Sequence, residues 1–395
     1  MSASLFCVDM SLDDRIKKFL DDWSNRDLTR EIRWISPEAH LSRNDGGTDF
    51  SSNDYLGLAN SPEVAEAIAD GLKTFGNGST SSRLISGSIS VFRDLEQSLA
   101  EWNKKEAALY FNSGYQTNVS LFSAISGPKD HILFDRLTHA SLIDGIRLSG
   151  TKSRSFKHND IADLEKKLER IQEARSDDSH TFVVTEGIFS MDGDFGKLKE
   201  IVSLKKRFGF SLIVDEAHSL GVLGESGRGW SAIEDLADEI DITIGTCGKA
   251  LGMSGGFICG SRSLVDWMQQ KCRGWIYSTA PPPYIASGLL ESIKIVSGEM
   301  GDELRRRLHH NITVAKHEIL GKAPENDKYS PIIPYVVGDN SKVLRIQNKL
   351  KEYGFHVGAI RYPSVSKNSA RLRITINSNH CEMAIKKLAE ILKSQ

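Results

Sequence analysis

Short apolar runs separated by longer amphipathic segments dominate the chain between residues 105 and 260. AALYF (107–111), HILF (131–134), TFVVT (181–185), SLIVD (211–215), ITIG (242–245) and GGFICG (255–260) read as buried strands. Between them, IADLEKKLERIQEA (161–174) places Ile161, Leu164, Leu168 and Ile171 on one helical stripe, and LKEIVSLKKRFG (198–209) ends in a glycine stop. Strands separated by helices of this length imply βαβ crossovers and a mostly parallel sheet.

The pattern changes after a proline cluster. APPPYIASGLLESIKIV leads into a long helix that connects out of the large unit. PIIPYVV, the helix KVLRIQNKLKEYG, the strands FHVGAI and ARLRITI, and a last amphipathic helix from about His380 then form a smaller α+β unit. The expected division is an N-terminal segment (1–50), a large α/β domain (51–283), a connecting helix (284–312) and a C-terminal α+β domain (313–395).

Composition narrows the function. With a formal net charge of −2 and a pI near 6.6, there is no electrostatic case for nucleic acid or an anionic membrane. The five cysteines (Cys7, Cys247, Cys259, Cys272 and Cys381) are scattered and never form a C-x-x-C pair. That argues for a reducing compartment and against a zinc cluster or a disulfide framework. The N-terminus lacks a signal-peptide pattern and no apolar stretch approaches 18 residues, so a cytoplasmic protein without a membrane span is expected.

In an open parallel sheet, ligands bind beyond the carboxyl ends of the strands. Polar residues gather there: Ser113 and Gly114 after AALYF, Asp135 and His139 after HILF, Glu186 and Ser190 after TFVVT, Asp215 and His218 at and after SLIVD, Thr246 and Lys249 after ITIG. Lys249 does not belong to a Walker loop, since Ala250 stands where Ser or Thr is required and Thr243 where the first glycine would be. A lysine in such a crevice can instead condense with an aldehyde if burial lowers its pKa. Pyridoxal 5′-phosphate is the common aldehyde, and each of its needs has a candidate: Asp215 for the ring nitrogen, His139 for the ring face, His218 for the 3′-oxygen, and Thr246 with the amides after NSG for the phosphate. Taken singly, each also fits a plain role as a helix cap, a structural histidine or a solvated loop lysine.

VVTEGIFSMDGD, LIVDEAHSLGVLGESGRG, TIGTCGKALGMSGG and IYSTAPPP, in that order and spacing, resemble the pyridoxal-phosphate α-oxoamine synthases of fold type I, and FSSNDYLGLA and SARLRITINSNH extend the resemblance over roughly residues 48 to 393. The resemblance implies a large domain with a mostly parallel sheet, a smaller C-terminal domain and an active site shared in a homodimer. It implies Lys249 as the cofactor-binding lysine, Asp215 as the ring-nitrogen partner, His139 stacked on the ring, and His218 and Ser190 near the phenolic oxygen. Ser113, Gly114, Tyr115 and Thr246 would line the phosphate site, with Ser278 and Thr279 reaching it from the second subunit. Arg373 would hold the amino-acid carboxylate, Asn53 would lie nearby, and Arg361 would be a second anion contact. Gly248 departs from the family's usual serine, which removes one phosphate hydroxyl. VGDN and AIR-x-P are most similar to the member that condenses L-alanine with a pimeloyl thioester on coenzyme A or acyl carrier protein. The alternative is a member using glycine, such as glycine C-acetyltransferase or 5-aminolevulinate synthase.

Overall fold

The computed structural model describes residues 10–26, 28–30, 32, 34–35, 49–174 and 178–395; Cys7 and much of the N-terminal segment lie outside them. The apolar runs form β1 (Ala107–Phe111), β2 (His131–Asp135), β4 (Thr181–Glu186), β5 (Ser211–Asp215), β6 (Ile242–Thr246) and β7 (Gly256–Gly260). They join β3 (Lys152–Phe156) in a seven-stranded sheet of order β1-β7-β6-β5-β4-β2-β3. β7 alone runs against its neighbours, so the carboxyl ends of the other strands share one edge. The pattern missed β3. Four of its five residues are exposed, and an edge strand of polar, charged residues carries no apolar signal.

Helices cover both faces. An exposed helix α1 (Leu12–Asn25) precedes α2 (Pro62–Phe75), α3 (Ser90–Trp102), α4 (Gly114–Ile125), α5 (Ala140–Ser149), α6 (Ile161–Ala174), α7 (Leu198–Phe208) and α8 (Arg262–Lys271). The core divides accordingly: one cluster packs Leu133, Val183, Leu212 and Val214 under α2, α3, α6 and α7, and another packs Ile132, Val184, Ile213 and Ile244 under α4, α5 and α8. This alternation along single strands is what burial on both faces requires.

The long connecting helix is two helices, α9 (Pro283–Ser297) and α10 (Glu299–Leu320), broken at Gly298. Beyond them β8 (Ile332–Gly338), β9 (Gly358–Ile360) and β10 (Ala370–Thr375) form an antiparallel sheet of order β8-β10-β9, flanked by α11 (Asn340–Glu352) and α12 (Glu382–Lys393). β9 is shorter than FHVGAI suggested. β10 is buried at every position, including Arg371 and Arg373, which is costly for guanidinium groups unless partners await them.

Candidate active site

At the shared edge, β1, β2, β4, β5 and β6 each deliver a polar residue at or just after their ends to one cavity of about 160 Å³, and the edge strand β3 delivers none. α4 begins three residues after the end of β1, with the Ser113 side chain capping it by accepting from the Gln116 amide at 3.1 Å. The first-turn N–H groups have no partner within the helix, and Gly114 and Tyr115 line the cavity. Thr246, the last residue of β6, donates its hydroxyl to the Gly255 carbonyl at 3.1 Å, and a Cβ on Gly114 would stand only 3.1 Å from that oxygen. The first turn of α4 and the Thr246 hydroxyl therefore meet in one corner of the cavity.

Asp215 ends β5 with its carboxylate buried. Oδ1 accepts from the Ala217 amide at 2.9 Å and Oδ2 from Asn118 Nδ2 at 3.2 Å, and no cation of the described residues pairs with it. The following residue, Glu216, points away and accepts from the Trp230 and Ser231 amides at 3.0 and 2.8 Å, which braces the loop after β5. Asn118 also donates to Ser141 Oγ at 2.9 Å, and Ser141 Oγ is 2.7 Å from His139 Nδ1. The Ser141 amide donates to the same nitrogen at 3.3 Å. His139 Nδ1 is therefore an acceptor, and burial lowers the histidine's pKa, so the neutral ring carries its proton on Nε2.

Lys249 lies on the β6–β7 turn, which closes through hydrogen bonds from Gly252 N to Lys249 O at 2.9 Å and Met253 N to Cys247 O at 2.9 Å. Burial of its ammonium lowers its pKa to about 8, against the opposing pull of Asp215 and Glu186. Glu186, at the end of β4, accepts from the His139 amide, and burial followed by the charge of Asp215 raises its pKa well above the usual carboxylate range. His218 is buried with Nδ1 2.6 Å from the Tyr55 hydroxyl. Its own pKa is well below normal because of burial first and the charges of Lys249 and Arg373 second.

Arg373 approaches from β10. Nε donates to the Ser190 carbonyl at 2.7 Å, and Nη1 donates to Asn53 Oδ1 at 3.0 Å and Thr375 Oγ1 at 2.9 Å. No carboxylate of the described residues pairs with it, although the group is 8% exposed. Its charge is felt at Lys249, His218 and Tyr55, where burial raises the phenol to about 12 and Arg373 offsets part of that rise.

The structure thus gathers Gly114, Tyr115, His139, Asp215, His218, Thr246 and Lys249 around the cavity, with Ser113 capping its helix and Arg373 and Asn53 joined beside it. Ser190 contributes its backbone carbonyl to Arg373, and its side chain does not line the cavity. Ser278 accepts from Gln116 Nε2 at 2.7 Å and Thr279 O accepts from Asn112 Nδ2 at 3.0 Å, next to the start of α4 but outside the cavity of the same chain. Arg361 lies elsewhere, donating to Thr29 O at 3.0 Å in a larger cavity of about 870 Å³ between the N-terminal segment and the small sheet. That cavity holds none of the strand-end residues. Asn118, Ser141 and Tyr55 were not singled out from the sequence, and Glu186 was noted without a role. Asn118 falls one turn after Gly114, so helical spacing alone puts it on the cavity face.

The class I and II aminotransferase family matches residues 45–392. An 8-amino-7-oxononanoate synthase of Chromohalobacter salexigens is 41% identical over 344 residues, covering 87% of each chain. The chain belongs to this family. Among solved structures, an 8-amino-7-oxononanoate synthase from Francisella tularensis superposes with a TM-score of 0.73 at 30% identity, covering 88% of this chain and 96% of that one. A serine palmitoyltransferase solved with pyridoxal phosphate superposes with a TM-score of 0.82 at 28% identity, covering 88% and 86%. This member of the 8-amino-7-oxononanoate synthases has the aminotransferase-like α/β fold and is a pyridoxal-phosphate-dependent acyltransferase.

Proposed function

We propose that the protein condenses L-alanine with a pimeloyl thioester, carried on coenzyme A or acyl carrier protein, to give 8-amino-7-oxononanoate, carbon dioxide and the free thiol in biotin biosynthesis. One juxtaposition carries this reading: an amine of lowered pKa at Lys249, and, among the described residues, a buried carboxylate at Asp215 without a cation partner and a buried guanidinium at Arg373 without a carboxylate partner. The similarity to 8-amino-7-oxononanoate synthases supports the choice of product.

The donor set fits pyridoxal phosphate. The α4 amides and the Thr246 hydroxyl suit the phosphate, Asp215 suits a protonated ring nitrogen, and the His139 ring forms a wall beside it. His218, with Nδ1 facing Tyr55, leaves Nε2 for the phenolic oxygen. Bound there, the cofactor supplies an electron sink for the bonds at the Cα of the amino acid.

The residues of the chain do the rest. Arg373 holds the alanine carboxylate, a task for which its planar fork is suited. The Lys249 amine would take the α-proton, and Asp215 would keep the cofactor's ring nitrogen protonated. The new carbon–carbon bond forms at the thioester carbonyl, where the His139 Nε2–H can donate to the developing oxyanion. The thiolate leaves and takes a proton, the alanine carboxylate departs as carbon dioxide, and Lys249 returns a proton to Cα.

The reading includes a homodimer. Thr279 is exposed and pairs with Ser82, and Leu84 and Ile85 beside it expose apolar surface, as does Tyr277. A second copy covering this patch would bring its Ser278 and Thr279 to the phosphate corner. Cys247, Cys259 and Cys272 are buried free thiols, which supports a cytoplasmic location, and no helix among the described residues is long and apolar enough to cross a membrane. Thiol release measured with alanine, glycine and serine against several acyl thioesters tests the substrates. Alanine with the pimeloyl thioester should be fastest, and a preference for glycine or serine would assign a different condensation.

A further inference from the structure

The segment Gly187–Phe195, between β4 and α7, joins the two sheets. It is internally closed: Phe189 N donates to Asp194 O at 2.9 Å, Gly193 N to Phe189 O at 2.9 Å, and Ile188 bridges Phe195. One side grips β10, where the Ser190 carbonyl holds Arg373 Nε at 2.7 Å and Asp192 pairs with Arg371. The other side is gripped by the main sheet through His158. Its Nδ1 is 2.9 Å from Asp135 Oδ1 at the end of β2, and its Nε2 is 2.7 Å from Asp194 Oδ2 in the segment. The neighbouring Asn159 donates to Asp194 Oδ2 at 2.9 Å and to Phe195 O at 3.0 Å.

Both ring nitrogens of His158 therefore face carboxylates. Burial alone would lower its pKa, but the hydrogen bonds to Asp135 and Asp194 outweigh that and raise it to about 10, so the ring is an imidazolium at neutral pH. Asp135 is fully buried and also accepts from the Leu137 and Asn159 amides, at 2.9 and 2.8 Å, which makes it a fixed anchor. Such a charged bridge in a partly buried setting holds its two carboxylates in one geometry. None of these groups lines the Lys249 cavity.

We propose that His158 is a positioning residue: clamped between Asp135 and Asp194, it locks the Gly187–Phe195 segment to the main sheet and thereby sets where the Ser190 carbonyl places Arg373 for the substrate carboxylate. The inference rests on the reading of Arg373 given above. Loosening the clamp leaves the phosphate corner and Lys249 in place, because those lie on α4, β6 and the β6–β7 turn. It lets Arg373 drift relative to Lys249, so the loss falls on amino-acid binding and spares cofactor binding.

The test uses the holoenzyme with H158Q, D194N and R373K variants and the H158Q/R373K double variant. The dissociation constant of L-alanine is read from the cofactor absorbance without thioester, and cofactor affinity is measured separately. H158Q and D194N should each weaken alanine binding by at least about fivefold, with cofactor affinity within about twofold, and H158Q should add nothing in the R373K background. Hydrogen exchange of amides 187–195 in the apoprotein should quicken in both clamp variants. If H158Q does not fold, D194N carries the same expectation. Unchanged alanine binding in the clamp variants while R373K weakens it overturns the clamp, as does a fully additive loss in the double variant. An R373K enzyme that binds alanine normally overturns the assignment of Arg373, and the clamp with it.

Discussion

At Lys249, burial of the ammonium outweighs the attraction of Asp215 and Glu186, leaving a pKa of about 8. Below that pH the amine of the apoprotein is protonated and cannot attack an aldehyde. The rate at which apoprotein combines with pyridoxal phosphate, followed by stopped-flow absorbance, should therefore rise with pH through a midpoint near 8. The same shift affects stability in a defined direction. The folded-state value lies below the ordinary 10.5, so between about 8 and 10.5 the unfolded chain holds the extra proton, and this group makes the apoprotein more stable as pH rises across that window. Asp215→Asn keeps the shape and the Ala217 contact but removes the charge proposed to face the ring nitrogen. It should slow exchange of the alanine α-proton with solvent by at least about a hundredfold while cofactor remains bound, and an unchanged exchange rate measured by NMR would remove Asp215 from its role.

At the level of elements, the site depends on how closely α4 meets β7. A Cβ on Gly256 would stand 2.6 Å from Gly114 Cα, 2.7 Å from Gly114 N and 2.6 Å from Thr117 Oγ1, so the backbone of the first turn of α4 would have to yield as well as a side chain. Gly256→Ala should cost about 1–3 kcal/mol of stability and weaken cofactor binding by displacing the first turn of α4, as measured by thermal unfolding and cofactor titration. The strands and the residues at their ends were legible because burial on both faces leaves uninterrupted apolar runs, with polar residues only where each run stops. β3 was not legible because an edge strand needs no such run, and neither was the break at Gly298, since both flanking helices keep apolar faces. Partners across the fold were also hidden. Nothing in the spacing of Tyr55 and His218 shows that their side chains meet, nor that Ser190 would offer its carbonyl in place of its hydroxyl. Arg361, read as a second anion contact by resemblance, sits beside Thr29 because β9 carries it toward the N-terminal segment.

For the whole molecule, the sequence order of the two units matters less than the way they meet: β10 of the small sheet brings Arg373 to Ser190 and Asn53, beside the cavity built by the large one, and Gly187–Phe195 ties the two together. The exposed apolar residues Leu84, Ile85 and Tyr277 beside Thr279 call for a covering surface. Sedimentation should give a particle of about 88 kDa, twice the 43.8 kDa of one chain. Mixed dimers of Lys249→Ala and Thr279→Ala chains should retain one cofactor site of normal affinity. The most direct measurement for the central claim follows carbon from the substrate. Holoenzyme incubated with L-alanine labelled with ¹³C at the carboxylate and a pimeloyl thioester should release one labelled carbon dioxide per free thiol, together with unlabelled 8-amino-7-oxononanoate, and Lys249→Ala should release neither. Product that retains the label, or labelled carbon dioxide formed equally well by Lys249→Ala, would contradict the account.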